Sequence, residues 1–208
     1  MIALDVRVFR WLHETFGEGG WLALMSVLTV LGSGWGALLV VPLFASPRTR
    51  RFAASLGAVL AVTAVVVFVL KAIVQRRRPY LVVPGIAARV FEAPTDFSFP
   101  SGHAAGSFAF AMFVAVVMVR QVAREPRRWK RRIGLSVVAL VAALGVAMSR
   151  CALGVHFPGD VLAGAVIGSL IGGVGARWHS RWAEGGAPRA EAEAKAKAKA
   201  KADAKADA

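Results

Sequence analysis

Residues 52–74 read FAASLGAVLAVTAVVVFVLKAIV, an apolar run whose single charge, Lys71, comes near its end. A helix crossing the ~30 Å hydrocarbon core of a bilayer needs about 20 such residues. This run has no polar stripe of the kind a surface helix turns to water, so it predicts a transmembrane helix. Four further stretches share its character, at 21–44, 104–119, 133–148 and 157–176; the two shortest are completed by flanking turns.

Across 208 residues the hydrophobic share is 57% and the mean hydropathy +0.58, whereas soluble domains lie near ~45–50% apolar. That excludes an ordinary soluble domain. The sequence predicts an all-α integral membrane helical bundle of five transmembrane helices. Residues 1–16 mix Asp5, Arg7, Arg10, His13 and Glu14 with Ile2, Leu4, Val6, Val8, Phe9, Trp11 and Leu12. This pattern predicts an amphipathic helix lying in the interface, and it lacks the apolar core and cleavage site of a signal peptide. The expected organisation is therefore an N-terminal interfacial helix over 1–20, a transmembrane domain over 21–178, and a solvated tail over 179–208. The tail alternates alanine with charge and has no face to bury.

The net charge of +14 raises nucleic acid as a partner, but its distribution speaks for topology. The connections at 45–51 and 120–132 and the tail hold most of the 26 basic residues. By the positive-inside rule they face the cytoplasm, near anionic lipid headgroups. No nucleic-acid partner is expected. The N-terminus and the segments 71–100 and 149–160 then face outward. Cys151 is the only cysteine, which leaves no intramolecular disulfide and reads as a small packing residue.

Three polar constellations fall on that outward face. Lys71 and Arg76–Arg78 make a dense basic cluster on the side that should be poor in positive charge. Snorkelling to headgroups would explain it, and so would an anionic ligand. Pro79 disfavours helix at Arg78 and is expected to end the span there. Next, Pro100-Ser101-Gly102-His103 reads as a turn with a serine N-cap. The amides of a helix N-terminus also favour an anion; Gly102 admits close approach and His103 adds a proton donor. Ser101 as the nucleophile of an intramembrane protease is the rival use. Finally, SRCALGVHFPGD at 149–160 sets His156 and Asp160 four apart. On a helix beginning near His156 they would share a face. Asp160 could then fix one tautomer and leave the other ring nitrogen free to act as nucleophile or base. A metal pair and a satisfied structural histidine are the alternatives.

These segments, KAIVQRRRP, PSGH and SRCALGVHFPGD, fit the patterns K-x6-RP, PSGH and SR-x5-H-x3-D. Their chain resembles the type 2 phosphatidic acid phosphatase superfamily over roughly residues 20–178. The resemblance implies phosphoryl transfer through a phosphohistidine, without metal or other cofactor. His156 would be the nucleophile and Asp160 its orienting partner. Lys71, Arg78 and Arg150 would hold the phosphate oxygens, assisted by Ser101 and the Gly102 amide. His103 would protonate the leaving oxygen and then activate water. Many bacterial members look like six-span proteins, so here the first span is absent or reduced to the 1–16 helix.

The physics of the transfer agrees with that residue set. Charge spreads over the equatorial oxygens, and fixed cations do most of the work. Arginine offers a planar two-donor fork and lysine a compact charge. The two histidines must differ in protonation, which predicts a bell-shaped pH profile. A site at the outer boundary of the cell membrane fits a lipid phosphate or diphosphate. Undecaprenyl diphosphate stands first, with phosphatidic acid or phosphatidylglycerol phosphate as the alternative. A soluble haloperoxidase with a similar anion pocket is excluded by the spans. A non-catalytic lipid-binding or lipid-moving protein remains, although mere binding requires neither histidine. In the last span, Gly164, Gly168 and Gly172 predict close packing inside the bundle more than a dimer seam; Gly32, Gly34 and Gly36 suggest the same for the first. The segment with Pro84, Phe91, Pro94, Phe97 and Phe99 predicts an irregular outer flap beside the lipid entrance.

Overall fold

The computed structural model describes residues 2–33 and 38–206, and among these every regular element is helical. In chain order they are α1 (Ile2–Phe16), α2 (Gly19–Leu31), a 3-10 helix (Leu38–Phe44), α3 (Pro47–Val74) and the short α4 (Pro79–Val82). Then follow α5 (Gly102–Arg124), a 3-10 turn (Pro126–Arg128), α6 (Trp129–Ala152) and α7 (Pro158–Ala206). Among the described residues, four stretches are long and apolar enough to cross a membrane: Thr49–Val82, Gly102–Ala123, Pro126–Ala152 and Pro158–Trp182.

The expected first span is interrupted. α2 stops at Leu31, and the next described residues, from Leu38, form a 3-10 helix that contains Pro42. Gly32 and Ser33 begin a Gly/Ser cluster of the kind that ends helices. The expected close packing at Gly34 and Gly36 falls outside the described residues. Gly32 does pack tightly, against Val146 and Ser107.

α5 sits at the centre, packed most extensively on α7 and also on α6 and α3, while α2 lies along α6. Two stripes on α7 explain its place. Leu162, Val166, Leu170 and Val174 stand exposed at every fourth position, facing outward as lipid-contacting side chains do. Gly164, Gly168 and Gly172 line the opposite side. A Cβ at 164 would lie 2.5 Å from the carbonyl of Ser101, and Cβ atoms at 168 and 172 would strike the carbonyls of Ala105 and Ala109. The glycines therefore let two backbones approach within the bundle. Their partners, Ala104, Ala105 and Ala109, are fully buried.

One apolar cluster joins Val40, Leu56, Val59, Phe113, Val117 and Ala176 toward the end where α3 begins. At the other end, Phe9 from α1 packs with Val83, Cys151 and Phe157, and Met25 from α2 with Ala152 and Leu153. Cys151 is thus the packing residue its isolation suggested. α1 forms as expected, but it is bolted onto the protein as well as amphipathic. Phe9 is fully buried, whereas Leu4 and Trp11 stay exposed.

Candidate active site

All three constellations meet at the end of the bundle capped by α1. α3 ends at Val74, four residues earlier than Pro79 alone would require. Gln75 adopts a left-handed φ of 50°, a conformation that costs a non-glycine residue ~1–3 kcal/mol and persists only where its surroundings hold it. The non-helical segment 75–78 is held by the Ser98 amide, which donates to the Arg76 carbonyl at 2.7 Å. Arg78 becomes the N-cap of α4, with Pro79 at its first position. Its guanidinium, buried to 2% exposure, turns inward.

His156 lies just before α7, at the end of a turn in which Gly154 takes φ 79°. The amides of Val155 and His156 both donate to the Arg150 carbonyl, at 3.1 and 3.2 Å, which ties the end of α6 to the histidine. The helix does not begin near His156, so His156 and Asp160 do not stack on one helical face. Asp160 instead stands in the first turn of α7 and reaches back, its Oδ2 accepting from the Phe157 amide at 3.0 Å. This is the acidic half of a capping box.

The imidazole–carboxylate pair has a third member. His156 Nδ1 and Asp160 Oδ2 are 3.7 Å apart, and Ser98 bridges them, with Oγ 3.3 Å from Nδ1 and 2.5 Å from Oδ2. A hydroxyl has one proton. Because Ser98 gives it to the carboxylate, its oxygen must accept from Nδ1–H, which leaves the lone pair on Nε2. That lone pair faces Arg78 Nη1, 3.2 Å away. Burial pushes the pKa of His156 down to about 4; the neighbouring Asp160 carboxylate opposes this, while Arg78 and Arg150 add to it. The ring is neutral at neutral pH.

Around it stand the cations. Arg78 also donates to the carbonyls of Val155 at 2.9 Å and Asp96 at 2.8 Å. Lys71 bonds the carbonyl of Phe97. Arg150, 4% exposed, donates to Thr29, and its buried Nε has no partner among the described residues. Ser101 caps α5, accepting from the Ala104 amide at 3.5 Å. Gly102 opens that helix, and His103, in its first turn and partly buried, feels the charges of Arg150, His156, Arg78 and Lys71. Lys71, Arg78, Arg150, His103, His156 and Asp160 thus lie at one end of the bundle, and Ser101 joins them there, its amide donating to the Asp160 carbonyl at 3.0 Å.

Four participants were not singled out. Ser98 is described above. Asp96 bridges Lys71 and Arg78, at 2.9 and 2.5 Å. Arg76, read only as part of a basic cluster, binds Asp160 at 2.6 Å. Asp5 of α1 binds Arg76 at 2.6 Å. The signal for the first two was the run TDFSFPSGH, which sets a carboxylate and a hydroxyl directly before the PSGH turn. Asp5 has no such signal, since it arrives from far along the chain.

Residues 52–184 match the family model described as the PAP2 superfamily. The chain is 34% identical over 137 residues to a decaprenylphosphoryl-5-phosphoribose phosphatase of Mycobacterium tuberculosis, covering 65% of this chain and 66%, just under two thirds, of that protein. It is 30% identical to a lipid A 4'-phosphatase of Bacteroides thetaiotaomicron, covering 77% of this chain and 68% of that one. Among solved structures it resembles the transmembrane PAP2-type phosphatidylglycerolphosphate phosphatase of Bacillus subtilis. The TM-score is 0.69 at 26% identity, with 86% of each chain covered. Four membrane-length helices together with that neighbour make this a multi-pass membrane protein.

Proposed function

This chain belongs to the PAP2 superfamily, and we propose that it removes a phosphate from a membrane lipid through a phosphohistidine. His156 Nε2 attacks phosphorus as the bond to the leaving oxygen breaks, and His103 supplies that oxygen with its proton. Water then attacks the phosphohistidine, giving a proton back to His103, while the P–N bond breaks and phosphate leaves. Lys71, Arg78 and Arg150 hold the three equatorial oxygens, whose charge grows in the transition state. Ser101 and the Gly102 amide assist at the helix N-terminus, and Asp160 orients His156. Three cations already surround the anion, so no metal is assigned a role.

One observation carries this reading. The Ser98–Asp160 hydrogen bond dictates the tautomer of His156, and the resulting lone pair points at a buried arginine rather than into the core. A site that only bound phosphate would have no use for an aimed, neutral imidazole. The unpartnered Nε of buried Arg150 supports an anion as its ligand, because a buried charged donor is costly to leave unmet.

α2 and the 3-10 helix together form a broken first crossing, which makes five crossings in all. The basic connections then lie in the cytoplasm and the site on the extracytoplasmic face of the cell membrane. The substrate is a phosphate or diphosphate on a long lipid chain. Undecaprenyl diphosphate is favoured, and the decaprenyl lipid in the mycobacterial relative's name supports a polyprenyl chain. Phosphatidic acid and phosphatidylglycerol phosphate are the comparison. The test is phosphate release by full-length protein in chelator from these three lipids, beside His156→Ala. Release by the wild type and loss in the variant are expected. Equal release by both would remove the phosphohistidine.

A further inference from the structure

Arg76 takes no part in holding the substrate in the reading above, yet both its terminal nitrogens are committed. Nη1 binds Asp160 Oδ1 and Nη2 binds Asp5 Oδ2, each at 2.6 Å. Its guanidinium carbon lies 4.2 Å from the ring centre of Phe157, which fixes the plane of the fork. Asp5 uses its other oxygen to accept from the Gly159 amide at 2.8 Å, at the positive end of the α7 dipole. A Cβ at 159 would sit 3.2 Å from Asp5 Oδ2, so glycine permits this approach. Asp5 is delivered by a helix that cannot drift. Phe9 packs edge-on against Phe157, and His13 Nδ1 bonds the Ala152 carbonyl at 2.8 Å.

We infer that Asp5 and Arg76 form a clamp through which the N-terminal helix positions Asp160, and through it His156, as positioning residues of the proposed reaction. The inference rests on the phosphohistidine reading for its functional meaning, but the clamp can be read without turnover. The charges alternate: Asp5 negative, Arg76 positive, Asp160 negative, then the ring. Asp160 has no exposed side-chain surface, while Arg76 is 27% and Asp5 16% exposed. The inner link is therefore little screened and the outer link more so. The other groups facing His156 are Arg78 from α4, Arg150 from α6, and His103 from α5, with Lys71 and Asp96 beyond them. All stay constant in the variants below.

Opposite charges in series give a test that general destabilisation cannot mimic. Arg76→Gln leaves the Asp160 charge uncompensated, favours imidazolium, and should raise the titration point of His156. Asp5→Asn leaves the Arg76 charge unshared and should lower it. The kcat should fall about tenfold in Arg76→Gln, by analogy with the hydrogen-bond partners of metal-bound side chains, and less in Asp5→Asn, with KM little changed. Arg76→Lys should recover part of the loss. The double variant should lie close to Arg76→Gln, since beyond Arg76 Asp5 touches α7 only at the Gly159 amide.

The experiment uses full-length protein in lipid nanodiscs. Ring-labelled histidines are titrated by NMR, with the four rings assigned by single substitution, beside kcat, KM and melting temperature. Opposite shifts support the clamp even if no lipid is hydrolysed, in which case the phosphatase reading falls alone. Unchanged titration in both variants, shifts of the same sign, or losses that merely follow melting temperature would overturn it.

Discussion

Asp96 grips Arg78 at the mouth of the site, its Oδ1 2.5 Å from Nη2, while its other oxygen lies 2.9 Å from Lys71 Nζ. Burial would push its carboxyl up, but the hydrogen bonds from Lys71 and Arg78 outweigh that and hold it below the usual carboxylate range. It therefore stays ionised at neutral pH, an internal anion on two of the three cations assigned to the substrate. With its side chain 55% exposed, it stands where a phosphate held by Lys71 and Arg78 would compete with it.

Replacing Asp96 with Asn should tighten orthovanadate and inorganic phosphate inhibition. A like charge removed near a half-exposed site relieves on the order of 1 kcal/mol, or roughly fivefold. Inhibition constants measured at fixed ionic strength check this. Weaker inhibition in the variant would show instead that Asp96 holds Lys71 and Arg78 in place for the ligand.

A free imidazole titrates near ~6.5, and burial holds His156 at about 4. Between those values the unfolded chain takes up a proton that the folded chain refuses, so stability falls as pH drops through this window and levels off above it. Burial also lowers His13, against its hydrogen bond to the Ala152 carbonyl, and this adds in the same direction. The protein should melt at a lower temperature at pH 5 than at pH 8, and His156→Asn should reduce that difference. On the kinetic side, the acid limb of kcat/KM should lie near pH 4, below that of a free histidine. An acid limb at 6.5 would contradict the buried, neutral ring.

The spans and motifs could be read because local pattern dictates them. An apolar run needs lipid whatever its neighbours do, and the motif residues are recognised by spacing. The break after Leu31 was present in the sequence as Gly32-Ser33, but it was hidden by the apolar residues on either side. Arg76 resembled its neighbours Arg77 and Arg78. Only the turn at Gln75 decides that Arg76 faces Asp160, and backbone geometry of that kind carries no periodic signal. Asp5 and Asp96 acquire their roles from how α1 and the segment between α4 and α5 dock, a tertiary fact that sequence separation conceals. The structure brings His156 and Asp160 close together, but not on one helical face, because Pro158 starts α7 two residues after the histidine.

Ser98 should prove as consequential as a motif residue. Ser98→Ala removes the acceptor that holds Nδ1–H and leaves Asp160 Oδ2 3.7 Å from the ring, beyond a good hydrogen bond. The kcat should drop about tenfold with KM nearly constant, by analogy with the hydrogen-bond partners of metal-bound histidines, whose loss costs about 10–100-fold. Steady-state kinetics of Ser98→Ala and Ser98→Thr would check it, with threonine keeping most of the rate. An alanine variant at wild-type kcat would mean that Asp160 orients the ring by itself.

Gly168 tests whether α5 and α7 truly meet backbone to backbone. A Cβ there would lie 2.9 Å from the Ala105 carbonyl carbon and 2.9 Å from the Ala109 amide nitrogen, distances that backbone atoms cannot yield without moving a helix. At Gly173 the nearest obstacle is Met112 Cγ at 3.7 Å, an ordinary contact with a flexible side chain. Inside a helix, Gly→Ala is otherwise favourable by ~0.5–1 kcal/mol. The two substitutions should therefore diverge, Gly173→Ala keeping or raising the melting temperature and Gly168→Ala lowering it, with overpacking costing ~1–3 kcal/mol. Because α5 carries Ser101 and His103 in its cap and first turn, the displaced helix should also lose activity. Thermal unfolding in one detergent, beside phosphate release, measures both. A Gly168→Ala protein as stable and active as Gly173→Ala would mean that α7 turns another face to α5, and that the glycine stripe is free for a second copy of the chain.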